Sequence, residues 1–163
     1  MATPTTLPAS FTAGNVLTAL QMNDLRGAFR VLQVVAGSTT TATTTTSSSY
    51  QTSTLTATIT PSSTSSTILA YYTGSYGGSS NVAQMYTALF RGTVAGTNLS
   101  ENTMYANSST GYYGTMAKAV IDTPATTSAT TYTVGFRSGG GAMTCTAQQL
   151  STQSTLILME ISA

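Results

Sequence analysis

The chain has 163 residues, of which only nine are Asp, Glu, Lys or Arg, while 36 are Thr and 21 are Ser. There is no histidine, one cysteine (Cys145), and four carboxylates: Asp24, Glu101, Asp122 and Glu160. These counts exclude a Ser-His-Asp or Cys-His relay, a zinc site of the usual Cys/His type and an intramolecular disulfide.

A net charge of +1 argues against nucleic acid as a partner, because phosphate binding needs clustered Lys and Arg. Of the five basic residues only Arg26 and Arg30 are close in sequence. Leu, Ile, Val and Phe together number 29, a supply below the roughly 20% expected of an ordered chain. The near-neutral charge is nevertheless not that of a disordered one, and nine Tyr and seven Met extend the apolar inventory. A folded domain is therefore expected, one that gains apolar burial against copies of itself. The longest apolar runs, residues 68–72 and 156–159, are far shorter than the ~20 residues that cross a membrane, so no membrane insertion is expected. The N-terminus lacks the basic and apolar regions of a secretory signal.

In chain order, residues 1–16 read as an extended arm containing Pro4 and Pro8. Thr18 and Gln21 have capping-box spacing, and Leu17 and Met22 are placed to close a hydrophobic staple. With Leu20 and Leu25 on its apolar side, a short helix over about residues 19–26 is predicted, stopped near Gly27. It is too short to stand alone and must dock on something.

From Phe29 the period becomes that of a strand, with Phe29, Val31, Gln33 and Val35 alternating with Arg30, Leu32 and Val34. The Thr/Ser run over residues 37–49 contains no proline. It reads as a partly ordered loop or edge strand, since Thr favours strands, and not as a Pro-rich glycosylated stalk. Further strands are predicted over residues 54–60, 67–73, 81–91, 112–121, 130–137, 142–148 and 154–161. In the first of these Leu55, Ala57 and Ile59 share a face. In the second Ile68, Ala70 and Tyr72 oppose Leu69 and Tyr71, and in the third Val82, Tyr86, Ala88 and Phe90 lie together. Residues 74–80, 96–98, 107–111 and 139–141 read as turns.

Two segments share a plan in which an apolar strand ends just before Pro61 or Pro124, a Ser/Thr/Ala connection follows, and a new strand begins. Proline ends the strand because it has no N–H to give to the ladder. Short strands with repeated corners predict an all-β fold, an antiparallel β-sandwich of jelly-roll-like design. An extended arm and one short helix precede it, giving residues 1–28 as arm and 29–163 as sandwich.

The chemistry-bearing residues are few. Glu101 and Asp122 are the one carboxylate pair in the body of the domain that a glycosidase reading could use. Asp122 reads more simply as organising the turn before Pro124, and Glu160 has Arg91 or Arg137 as candidate partners. No phosphate-binding loop or dinucleotide fingerprint is present, so no catalytic residue, metal or cofactor is expected. Tyrosine, with a flat apolar face and a polar tip, suits protein or sugar contacts. Tyr71, Tyr72, Tyr76, Tyr112 and Tyr113 are the candidate contact residues, with core or subunit packing as the competing reading.

The segment FTAGNVLTA (residues 11–19), followed by Met22 and Asn23, resembles the attachment arm of tailed-phage virion proteins. Residues 55–63, 122–132 and 154–161 resemble blocks of small phage surface proteins of fibre-like or capsid decoration (cement) type. The resemblance implies a non-enzymatic virion component assembled in the host cytoplasm and expected to be a homotrimer. Its arm, carried by Phe11, Leu17, Leu20, Met22 and Leu25, would engage a tail protein or the major capsid protein. A fibre would in addition touch a host surface glycan or envelope protein. Tail and capsid locations both stay open, with a polysaccharide depolymerase using Glu101 and Asp122 as the remote alternative.

Overall fold

The computed structural model describes Gly14, Val16, Thr18, Ala19 and residues 31–79, 83–106, 111–140 and 143–161. The predicted arm residues Phe11, Leu17, Leu20, Met22 and Leu25, and all of the predicted helix except Ala19, lie outside the described residues.

The described residues form ten strands: β1 (Val31–Thr39), β2 (Thr43–Thr45), β3 (Gln51–Ile59), β4 (Thr67–Gly78), β5 (Ala83–Arg91), β6 (Thr97–Ala106), β7 (Tyr112–Asp122), β8 (Thr130–Ser138), β9 (Cys145–Ala147) and β10 (Ser154–Ile161). They form two antiparallel sheets packed as a sandwich. Sheet A runs β1-β10-β4-β7, with the short β9 and β2 continuing beyond the end of β10; sheet B runs β3-β8-β5-β6. The pairings nest: β5 with β6, β4 with β7, β3 with β8, β1 with β10. One long hairpin wrapped around a common core has this order, which is that of a jelly roll.

Strand alternation builds the core. Leu55, Ala57 and Ile59 from β3 meet Ile68, Ala70 and Tyr72 from β4, with Leu89, Tyr132, Val134, Leu156 and Leu158 completing one cluster. A second cluster packs Tyr76, Met85, Met116, Phe136, Met143, Cys145 and Ala147 towards the other end. The scarcity of Leu and Ile is offset by Tyr and Met, which fill irregular space with large side chains.

Both proline corners carry the chain between sheets. β3 ends at Ile59 before Pro61 and β4 begins at Thr67 in the other sheet; β7 ends at Asp122 before Pro124 and β8 begins at Thr130 back in sheet B. The Thr/Ser run divides into the end of β1 and the short strand β2, which lies at the end of the β4-β9-β2 series of sheet A.

Two expectations are corrected: the turn read over residues 74–80, through which β4 continues to Gly78, and the lack of a strand over residues 97–106. β6 was not anticipated: residues 96–98 read as a turn and the polar sequence of β6 lacks strand alternation, yet its pairing with β5 runs from Ala83–Ala106 to Arg91–Thr97. Register against a neighbour outweighs the weak strand propensity of Asn, Ser and Glu. On β5 the residues facing the sandwich core are Met85 and Leu89. Ala88 and Phe90 are also buried, but on the opposite face, where the Phe90 ring meets Tyr50 edge-on with centroids 5.0 Å apart.

Candidate interaction face

Cross-strand register on sheet A sorts side chains into rows. On the inner side one row reads Gln33–Glu160–Ile68–Asp122. This places both of the domain's buried carboxylates at the same end of the sandwich, each beside one proline corner.

Glu160 is 0% exposed, and among the described residues no Lys or Arg is paired with it. Its Oε1 accepts from the Ser62 amide at 2.7 Å and from the Ser62 and Ser66 hydroxyls, both at 2.6 Å; its Oε2 accepts from Gln33 Nε2 at 2.6 Å. Burial on its own would raise the carboxyl pKa, but these bonds to the charged form together hold it down at about 2. The arginines suggested by sequence as partners are engaged elsewhere. Arg91 pairs with Asp122 at 3.1 Å, and Arg137 pairs with Glu101 at 3.3 Å. Hydroxyls replace a cation because the Ser-rich corner folds directly over the end of β10.

Asp122 also accepts from the Tyr132 hydroxyl at 2.7 Å. Glu101 accepts from Tyr50, and the Arg137 guanidinium lies 3.8 Å from the centre of the Tyr86 ring and 5.1 Å from that of Tyr50. Glu101 and Asp122 thus sit on different sheets, each tied to its own arginine and tyrosine, and the structure does not bring them together as a pair. Among the described residues no group of three or more Cys, Asp or Glu side chains is placed to hold a metal ion.

The five candidate tyrosines separate by strand phase. Tyr72 and Tyr76 are fully buried, so in this fold they are core side chains and not contact residues; the Tyr72 hydroxyl meets the Thr87 hydroxyl at 3.0 Å. Tyr112 is half-buried against the second core cluster, and burial pushes its hydroxyl up to about 12. Tyr71 and Tyr113 point outward.

Tyr71 belongs to an outer row, Ala36–Ile157–Tyr71–Ala119. Beside it runs Val34–Met159–Leu69–Ile121. Val34 is 58% and Ile121 70% exposed. Val31 and Ile161 extend the apolar region at one end, and Ser38, Thr155, Thr73 and Ala117 form the next row at the other. No Asp, Glu, Lys or Arg occurs in any of these rows. An uncharged sheet face with a large apolar row across all four strands is the feature of this surface that most resembles a protein interface, where charge is depleted at the centre and aromatics and Met are enriched.

No family model matches the chain, and no curated protein does. Among solved structures, an arabinose-bound GH51 α-L-arabinofuranosidase aligns over 70% of this chain at 15% identity with a TM-score of 0.29. The alignment spans only 18% of that enzyme's length. A CBM4 structure aligns over 77% of this chain and 91% of its own length, at 9% identity and a TM-score of 0.25.

The interaction face was within reach of sequence reasoning only in part. The alternation of Leu69 and Tyr71 against Ile68, Ala70 and Tyr72 marks two faces of one strand. It does not say that Val34, Met159 and Ile121 lie alongside, because that needs the register of three long-range strand pairs.

Proposed function

We propose that this protein is a non-enzymatic structural component of a tailed-phage virion, a trimeric jelly-roll module displayed on the particle exterior and held there by residues 1–28. The observation that carries the reading is the uncharged outer face of sheet A, set on a sandwich whose described carboxylates are all committed to structural bonds. A surface of that kind serves burial against protein, and the resemblance of residues 11–19 and 154–161 to virion proteins supports the particle as the setting. A fibre or receptor-binding role is the first reading, and a capsid-cement role the second.

Antibody raised against the sandwich and imaged on purified particles tests this. Label on the particle exterior, lost when residues 1–28 are deleted, is the expected result. Particles that never contain the protein would sink the proposal. The position of the label separates the two locations. A tail label, with cell binding by residues 29–163, goes with a fibre; a label over the whole capsid, with particles that become fragile when the protein is absent, goes with cement.

A further inference from the structure

The outer face of sheet B is built differently from that of sheet A. Its cross-strand register sets Gln84 beside Tyr105 in one row, Arg137–Tyr86–Thr103 in the next and Gly135–Ala88–Glu101 in the third. Tyr105, Thr103 and Glu101 therefore stand in line on β6, the last strand of sheet B, and all three are exposed. From Tyr105 to Glu101 the strip runs about 14 Å, at ~3.4 Å of rise per residue. That length suits a short oligomer better than a single small molecule.

The polar groups along this strip are held in place without being used up. The Arg137 guanidinium lies 3.8 Å from the centre of the Tyr86 ring and donates to Glu101 Oε2 at 3.3 Å. Tyr50 donates to the same oxygen, and the Tyr86 hydroxyl donates to Gln84 Oε1. Among the described residues Glu101 Oε1, Gln84 Nε2 and the hydroxyls of Thr103 and Tyr105 have no hydrogen-bond partner. Neighbours thus fix the rotamers of Glu101, Arg137 and Gln84 while leaving acceptors and donors open, and groups ordered in advance bind at a smaller entropic cost.

Tyr105 is the aromatic side chain on this face that the fold leaves uncovered. Phe90 meets Tyr50 and Tyr86 lies under Arg137, whereas Tyr105 is 56% exposed.

We infer that this strip binds a neutral glycan, with one sugar ring stacked on Tyr105 and the hydroxyls of the following sugars meeting Thr103, Gln84 and the Glu101–Arg137 pair. The inference rests on the receptor-binding reading above and names its ligand class and its contacts.

The chemistry of the strip selects this ligand. A tyrosine ring offers an apolar face to the C–H side of a sugar and a hydroxyl to its rim. A sugar hydroxyl both donates and accepts, so it can give its proton to Glu101 Oε1 and receive one from Arg137 or Gln84. Glu101 and Arg137 are the ionised groups of the strip, and their charges cancel. An acidic chain would meet Glu101, whose side chain is 41% exposed, and like charges brought together disfavour the complex. A protein partner would have to cover the same pair, whereas the centres of protein interfaces are depleted of charge. A hydrated glycan leaves both groups hydrogen-bonded.

The test uses the full chain, fluorescently labelled at its N-terminus, on a microarray of neutral and acidic bacterial polysaccharides. Tyr105→Ala and Thr103→Lys alter the strip, and Tyr113→Ala on sheet A is the control. Circular dichroism and thermal melting establish that each variant is folded, and either strip variant suffices should the other fail. The wild type is expected to bind at least one neutral polysaccharide. Titration with that polysaccharide is expected to show binding weakened about tenfold or more in the strip variants and unchanged in Tyr113→Ala.

Binding that survives in the folded strip variants overturns the inference. So does binding lost in Tyr113→Ala, which moves the contact to sheet A, and so does binding confined to acidic polysaccharides or absent from the whole array. Particle labelling is read separately. A virion protein that binds no glycan is thereby distinguished from a glycan-binding protein that belongs to no virion.

Discussion

Gln33 donates its side-chain amide to Glu160 at 2.6 Å across the β1–β10 pair, and the same nitrogen lies 2.7 Å from the Thr60 carbonyl. One amide therefore ties the edge strand of sheet A to the last strand and to the corner that leads out of sheet B. The bond matters because Glu160 is fully buried and its donors among the described residues are all neutral.

The consequence is a pH dependence of definite sign. The Glu160 carboxyl is held at about 2, below its ordinary 4.5. A group depressed on folding stabilises the native state fully above the unfolded value, and that stabilisation is lost as pH falls through the folded one. The melting temperature is thus expected to drop between about pH 4.5 and pH 2. Glu160→Gln points an amide at donors that need an acceptor and is expected to cost about 1–3 kcal/mol at neutral pH. It should also flatten that acid limb, and a variant that keeps the full wild-type slope in denaturation across this range would show that another carboxylate is responsible.

Tyr71 and Tyr72 are adjacent and face opposite sides of sheet A. Tyr72→Ala opens a cavity inside the main cluster and is expected to lose about 3–5 kcal/mol. Tyr72→Phe keeps the ring and removes only the bond to Thr87, for about 1 kcal/mol. Tyr71→Ala, measured in dilute protein to separate folding from association, is expected to change stability by less than about 1 kcal/mol. Chemical denaturation of the three variants checks the order; equal losses for the two alanines would mean that the faces are misassigned.

These pairs also show what the sequence discloses. Alternation in residues 54–60 marks the inward residues because Leu55, Ala57 and Ile59 differ sharply from the Thr between them; in residues 67–73 both faces are apolar, so alternation separates them without saying which is inward. The two proline corners are legible because Pro61 and Pro124 must end their strands. On β5 the alternation groups Tyr86, Ala88 and Phe90 correctly on one face, but that face lies on the outer side of sheet B, with Phe90 meeting Tyr50, and a period of two cannot say which of two buried faces is the core. β6 escapes because its strand state comes from pairing with β5 and not from its own residues. The partners of Glu160 escape for a similar reason, since Ser62 and Ser66 are 98 and 94 residues away along the chain.

Gly37 marks a close approach of β1 to β3. A Cβ there would run into the Thr56 carbonyl oxygen and stand 3.2 Å from the Ala57 Cβ. Both obstacles belong to a paired strand, since Thr56 faces Thr133 and Ala57 faces Tyr132, so neither can retreat without disturbing β8. Gly37→Ala is expected to destabilise by about 1–3 kcal/mol through overpacking. Gly140 has open space around its Cβ position, and Gly140→Ala is expected to stay within about 0.5 kcal/mol of wild type. Thermal melting of the two variants side by side checks this, and a Gly37→Ala protein as stable as Gly140→Ala would mean that β1 and β3 stand further apart.

Cys145 lies in the second core cluster, where its thiol approaches the Arg137 carbonyl at 3.6 Å. Burial pushes the thiol up to about 11, and only the thiolate is a nucleophile. Two barriers then act together at neutral pH, a small thiolate fraction and no path for a reagent. The folded protein is expected to react with an aromatic disulfide reagent only at the rate of local opening, and completely once denaturant unfolds it. Cys145→Ser puts a hydroxyl in an apolar cluster at a cost of about 1–3 kcal/mol, whereas Cys145→Ala removes the sulfur without adding polarity and is expected to cost less. Rapid labelling of the native chain, with the serine variant as stable as the alanine, would place Cys145 at the surface and break the second cluster as described.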